Sequence, residues 1–284
     1  MTKIIACIDG SAYGASVCDH AAWAAGRLGA PVEVVHALGR RDTSSAPFDL
    51  SGSLEFGGRE ALMGELAELD RQKAKLATTR GHHILAEAVA RLRSDGVGEV
   101  TEKLRHGDVA DTITDLDPKT RLVVIGKRGE AADFAKGHLG SNLERVVRST
   151  TRPVLIAARA FKPVERVMVA FDGGQSSARV IERLAASPLV AGLPCLILMA
   201  GTRSGEPAAR LHEAERTLSA ARYRVTVAIE DGEPDEVIAS RVKADGIDLL
   251  VMGAYGHSRI RNLIVGSTTT ALIRSCAIPV LVIR

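Results

Sequence analysis

Aromatic side chains are scarce in this chain: one Trp, three Tyr and five Phe among 284 residues. The interior must therefore be built from Val, Ile, Leu and Ala, which suits parallel strands covered by helices on both faces. No apolar run approaches the length of a membrane span, so no membrane partner is expected. Acidic and basic residues nearly cancel, leaving a net charge of +3. Neither half carries the basic excess of a nucleic-acid binder. The four cysteines, Cys7, Cys18, Cys195 and Cys276, form no CxxC pair. Cys7 and Cys195 sit inside apolar runs and are expected to be small buried thiols. The N-terminus enters Lys3-Ile4-Ile5-Ala6-Cys7-Ile8 with no signal-peptide layout. Together with the cysteine usage this points to a reducing cytoplasm.

Several signatures of catalysis are also missing. GxxxxGK[ST], HExxH and GxSxG do not occur, and neither first strand is followed by GxGxxG. The eight histidines are scattered. His82-His83 lies in helical text, where a solvated pair is expected rather than a metal site.

What is present is a glycine pattern at a strand-to-helix junction. The apolar run Ile247 to Met252 reads as a buried strand, and Thr268 to Ser275 reads as a helix. Between them stand Gly253-Ala254-Tyr255-Gly256, nine residues, then Gly266-Ser267. Glycines let backbone approach a ligand closely. The helix start at Gly266, Ser267 and Thr268 offers unpaired N–H groups and a positive dipole end, which suits phosphate. The same glycines also serve as a tight turn, and three of them with a hydroxyl run favour the ligand reading. His257, Arg259 and Arg261 flank the stretch and either neutralise phosphate or are solvated.

The chain is one unit written twice. In the first copy, strands are expected at Thr2–Ile8, Pro31–Leu38, Gly98–Arg105, Leu122–Ile125 and Pro153–Ala157. Helices are expected at Ser16–Leu28, Ala61–Arg93 with a break near Gly81, Asp108–Asp115 and Gly140–Arg148. Residues 39–58 read as a loop. In the second copy, Asp172 corresponds to Asp9, Gly232 to Gly107, Gly253 to Gly126 and Pro279 to Pro153. The first copy carries its extra residues in the 40–80 region. Alternating strands and helices imply a parallel, doubly wound sheet with right-handed crossovers. Phe161-Lys162-Pro163 is a short linker between domains expected at 1–159 and 160–284.

In such sheets ligands bind outside the carboxyl ends of the strands, at the switch in strand order. Asp172 ends the first strand of its half and Gly253 the fourth. Two readings of Asp172 stand: an Asx turn or cap before Ser176-Ser177, or an acceptor for ribose hydroxyls opposite the glycine turn.

The spacing Gly253-x2-Gly256-x9-Gly266-Ser267 resembles the ATP-binding signature of the universal stress protein family. The resemblance covers nearly the whole chain as two copies. Each has Asp after strand one, GxxG after strand four, Gly-Ser before the last helix, and a final Pro-Val-Leu-Val/Ile strand. It implies an α/β fold of two tandem five-stranded parallel-sheet sandwiches, resembling adenine nucleotide α-hydrolases. It further implies that Asp172 meets the ribose and that Ala170 and Ala200 line the adenine pocket. Met252 and Gly253 would flank ribose and phosphates, and Gly256, Gly266, Ser267 and Thr268 would hold the phosphates. The ligand implied is ATP, with a divalent ion such as Mg²⁺ allowed.

The first half departs from this pattern. Ten residues, not nine, separate Gly129 from Gly140-Ser141. Lys127 and Arg128 occupy the turn and Glu130 follows it. Asp9, Gly126, Gly129, Gly140 and Ser141 are thus the weaker set, in a half that serves as a degenerate site, scaffold or partner surface. In the family the last strands of two domains pair antiparallel across a dimer. Here Val154–Ile156 and Val280–Ile283 are expected to pair within one chain, as an intramolecular pseudo-dimer, and a further homodimer is allowed. The function implied is an ATP-binding regulatory or protective protein of the stress response, with protein partners unnamed. No general base with its orienter stands out, so slow ATP hydrolysis is secondary. The alternative is a nucleotide-independent interaction protein.

Overall fold

The computed structural model describes residues 2–39, 56–129, 141–201, 206–254 and 267–284, with backbone only at 56–61, 141, 267 and 268. In the first half the order is β1 (Lys3–Cys7), α1 (Gly14–Leu28), β2 (Val32–Leu38), α2 (Phe56–Ser94), β3 (Val100–His106), α3 (Val109–Leu116), β4 (Thr120–Gly126), α4 (Ser141–Ser149) and β5 (Val154–Ala157). A 3-10 turn at Asp117–Lys119 leads into β4. The second half repeats it as β6 (Val167–Ala170), α5 (Gln175–Ala185), β7 (Pro194–Ala200), α6 (Glu206–Ala220), β8 (Arg224–Glu230), α7 (Pro234–Ala244), β9 (Leu249–Gly253), α8 (Ser267–Ser275) and β10 (Val280–Ile283).

The ten strands form one sheet in the order β3-β2-β1-β4-β5-β10-β9-β6-β7-β8. Within each half every pairing is parallel. The two halves meet where β5 and β10 run antiparallel, with Leu155 opposite Leu281 and Ile156 opposite Val280. The sequence expectation of an intramolecular strand junction is thus met. Pairing β5 with β10 leaves neither as an open edge. The true edges, β3 and β8, read Val-Thr-Glu-Lys-Leu-Arg-His and Arg-Val-Thr-Val-Ala-Ile-Glu. Charged residues on such edges discourage pairing with other chains.

Central strands carry apolar residues on both faces. Ile4, Ala6 and Ile8 join one core layer with residues of α1, α2, α5 and α6. Ile5 and Cys7 join the opposite layer with residues of α3, α4, α7 and α8. All four cysteines are free and buried, and burial pushes the Cys7, Cys18 and Cys195 thiols up to about 12. Arg27 on α1 reaches the second half and donates through Nε to the Leu189 carbonyl at 2.9 Å.

The expected break near Gly81 is corrected: α2 runs unbroken for 39 residues. A Cβ at Gly81 would lie 2.7 Å from Leu104 Cδ1 and 3.1 Å from His36 Cδ2. This glycine lets the helix settle onto β2 and β3, so packing rather than turn formation explains it. The helix also starts at Phe56, inside the stretch read as a loop. His82 and His83 are both exposed, as the solvated reading requires.

Candidate functional site

The strand order reverses beside β1 in the first half and beside β6 in the second. At each switch the carboxyl ends of two parallel strands diverge to opposite crossovers and leave a crevice. In the second half it lies between the ends of β6 and β9. Pairing there runs only from Val167–Leu249 to Val169–Val251, so Ala170 and Gly253 stand past the last paired residues.

Asp172 follows β6. Its Oδ1 accepts from the Gly174 N–H at 2.8 Å and from the Ser177 hydroxyl at 2.7 Å. The Asx-turn reading is therefore present in the geometry. One carboxylate oxygen holds the turn and the start of α5, and the pair of acceptor oxygens still belongs to a half-buried carboxylate at the crevice. Gly173 adopts φ +72°, against Pro207 of α6. Its carbonyl accepts from Arg210 Nη1 at 2.7 Å. The turn is thus tied to α6.

Gly253 ends β9. A Cβ there would lie 2.3 Å from Ser176 Oγ and 3.2 Å from Ser176 Cβ. A side chain there would require the Ser176 hydroxyl to rotate away and its Cβ to give by a few tenths of an ångström. The Gly253 carbonyl accepts from the Thr269 hydroxyl at 3.3 Å, and Thr269 is buried in the first turn of α8. Ser267 and Thr268 open that helix, where the first backbone N–H groups have no intrahelical partner. Met252 is buried beneath the site. Ala170 and Ala200 end β6 and β7, both half-buried with no side chain beyond Cβ. The structure therefore gathers Ala170, Asp172, Ala200, Met252 and Gly253 around the strand ends, with the Ser267–Thr268 backbone joined to Gly253 through Thr269. Gly256 and Gly266 lie outside the described residues.

The first half is built alike and filled differently. Asp9 Oδ1 accepts from the Ser11 N–H at 3.1 Å, as Asp172 does from Gly174. Tyr13 stands four residues after Asp9, where Ser176 stands four after Asp172. A Cβ at Gly126 would meet Tyr13 Cβ at 2.7 Å and Cγ at 3.2 Å. One at Gly129 would meet the Asp9 carboxylate at 2.8 Å. An aromatic side chain and the turn itself therefore crowd this crevice. Ser141 opens α4, and Gly140 lies outside the described residues.

Lys127, read from sequence as a bulky residue of the first-half turn, sends its side chain elsewhere. Its Nζ donates to the carbonyl of Ile278 at 3.1 Å and to that of Cys276, at the C-terminal end of α8. Ser176, Thr269 and Arg210 are further residues that sequence reading missed. The signal for Ser176 was its equivalence to Tyr13. For Thr269 it was the hydroxyl run after Gly266. Arg210 carried none.

Among the described residues no group of three or more His, Cys, Asp or Glu side chains is placed to hold a metal. No helix described is long and apolar enough to cross a membrane.

The geometry has counterparts in known proteins. The family model described as the universal stress protein family matches residues 1–158 and again 163–284. Universal stress protein Slr1230 of Synechocystis is 37% identical over 287 residues, covering 100% of both chains. Universal stress protein MT2052 of Mycobacterium tuberculosis is 25% identical over 228 residues, covering 72% of this chain and 71% of that protein. Among solved structures, a universal stress protein from Archaeoglobus fulgidus superposes with a TM-score of 0.74 at 21% identity, over 99% of this chain and 98% of that one. The fold is shared, the family pattern is present twice, and one relative aligns end to end: this chain belongs to the universal stress protein family, as a tandem of two such units.

Proposed function

We propose that the second half, residues 160–284, binds ATP, and that the first half, residues 1–159, is a scaffold whose own crevice is closed. The observation carrying this reading is the contact of Gly253 with Ser176. It brings β9 backbone against the start of α5 with no side chain between, at the switch point where phosphates are held by backbone. Ala170 and Ala200 leave room for a flat base, and Asp172 supplies an acceptor for ribose. The N-terminal N–H groups of α8, with Gly256 and Gly266 before it, receive the phosphates.

These residues fit a nucleotide better than a protein-held metal. A Mg²⁺ ion would be carried by the phosphates, with Asp172 the nearest carboxylate of the described site; such ions commonly bind through one or two carboxylates plus substrate phosphates. The chain would act in the cytoplasm as a regulatory or protective protein of the stress response, its nucleotide state biasing contacts with protein partners. Slow hydrolysis is subordinate, and phosphate release abolished by Gly256→Ala would raise it.

The test is calorimetric titration of ATP–Mg²⁺ into the full chain alongside Gly266→Val. One site per chain, absent in the variant, is expected. Two sites would reopen the first half. No binding by folded, nucleotide-free protein would overturn the reading. It would favour a nucleotide-independent interaction module, to which the Asx turn at Asp172 already lends support.

A further inference from the structure

The last helices of the two halves, α4 and α8, are each nine residues long and stand at the same distance before a proline. Their positions therefore correspond one to one. Thr150 matches Cys276, Thr151 matches Ala277, Arg152 matches Ile278 and Arg145 matches Ala271. Helix α4 is tied into its own half. Just past its C-terminal end the Thr150 and Thr151 hydroxyls donate to the Asp117 carboxylate at 2.6 and 2.7 Å. Arg152 pairs with the same carboxylate at 3.4 Å. Arg145, on the helix, pairs with Asp108 at the start of α3. From the other half Arg284 adds an exposed bond to the Arg148 carbonyl, one that water can replace.

Around α8 the corresponding residues carry neither hydroxyl nor charge. Cys276, Ala277, Ile278 and Ala271 can make none of these ties. The end of α8 is met instead from across the junction, by Lys127. Its Nζ donates to the Ile278 carbonyl at 3.1 Å and to that of Cys276, and the residue is only 8% exposed. The base of this side chain is fixed, because Gly126 packs on Tyr13 and Gly129 on the Asp9 carboxylate. Were α8 to slide from its place, the ammonium would stay buried with its donors unpaired. That costs more than losing a bond that water can replace. At 1.5 Å per residue α8 is a rod of about 13 Å, so what fixes its end also fixes its beginning. There the Thr269 hydroxyl donates to the Gly253 carbonyl, and the first N–H groups have no intrahelical partner.

We propose that Lys127 is a positioning residue for the second-half site: through this side chain the first half sets how tightly the second half holds phosphates. The inference rests on the ATP reading of that site and adds its regulation. Lys127 acts through α8, so its influence falls on the phosphates. The expected neighbours of the base, Ala170 and Ala200, stand on β6 and β7. A residue that only kept the fold intact would affect both parts of the ligand alike.

The test is titration of ATP–Mg²⁺, and separately of adenosine, into the full chain and Lys127→Met, with amide exchange followed along α8. ATP is expected to bind about tenfold more weakly to the variant, within the usual range of coupling between sites. Adenosine should bind as before, and the α8 amides should exchange faster while those of β9 and β10 do not. Lys127→Gln, shorter and still a donor, should show the same selectivity with a smaller loss, and it keeps the test decisive if the Met variant does not fold. Equal losses for ATP and adenosine would overturn the proposal. So would unchanged ATP affinity or unchanged α8 exchange in a variant of a chain that binds ATP, a result that spares the reading of the site. Wild type that binds neither ligand would overturn that reading and this inference with it.

Discussion

Lys127 of the first half donates its ammonium to the Ile278 carbonyl of the second at 3.1 Å. It also reaches Cys276, the residue after α8. A cation at a helix C-terminus is favoured by the exposed carbonyls and the dipole there. The helix it serves is the one whose other end opens the candidate phosphate site. The position equivalent to Lys127 in the second half is Ala254. The buried contact therefore runs one way, from the first-half turn toward the helix that borders the second-half crevice.

Burial lowers the Lys127 ammonium from its ordinary value to about 8. In the unfolded chain it titrates near the usual lysine value. Between about pH 8 and pH 10.4 the unfolded state thus binds more protons than the folded one, and stability from this group rises with pH across that window. Below it both states are protonated and the cost of burying the charge is fully present. Wild type should gain up to about 3 kcal/mol relative to Lys127→Met between these limits. Urea unfolding near pH 7.5 and again at about pH 10.5, on either side of that window, reads the difference. A difference independent of pH would mean that the lysine is not held as described.

Gly253→Ala places a methyl against Ser176 Oγ. Overpacking of this kind costs about 1–3 kcal/mol, and the displaced strand end should weaken ATP binding. Adding Ser176→Gly removes the atoms that the methyl meets. The double variant should recover most of the lost stability, giving a coupling energy of about 0.5–3 kcal/mol in the cycle. Additive losses would show that the two residues do not touch.

Asp172 separates the turn from the ligand role. Asp172→Asn keeps an oxygen for the Gly174 N–H and the Ser177 hydroxyl, so unfolding should change little. Loss of a charge-assisted bond to ribose should weaken ATP about tenfold or more, since 1.4 kcal/mol is a factor of ten. Asp172→Ala should lose both the affinity and about 1 kcal/mol of turn stability. Unchanged affinity in Asp172→Asn, measured by the same titration, would leave the carboxylate a turn residue alone.

The duplicated strand–helix alternation, the parallel sheet and the β5–β10 junction were legible in the sequence. The first two rest on local apolar periodicity and on the repeat of Asp, GxxG and Pro-Val-Leu at matching places; the junction was implied by the family resemblance. Buried strands such as Leu122–Ile125 cannot avoid announcing themselves, because both their faces must be apolar. The Asp172 and Gly253 neighbourhood was legible as types at a switch point. Ser176 was not, since its contact with Gly253 joins residues far apart in the chain.

Tertiary structure alone decided the rest. Gly81 looked like a helix break because glycine disfavours helix locally; its close approach to Leu104 and His36 reverses that preference. Lys127 looked like an obstacle in the first-half turn because sequence carries no direction for a long side chain. Its destination exists only once β5 and β10 bring the two halves side by side. Local spacing determines which elements form and which faces are apolar. Which side chains meet across those faces depends on distances that only the folded chain sets.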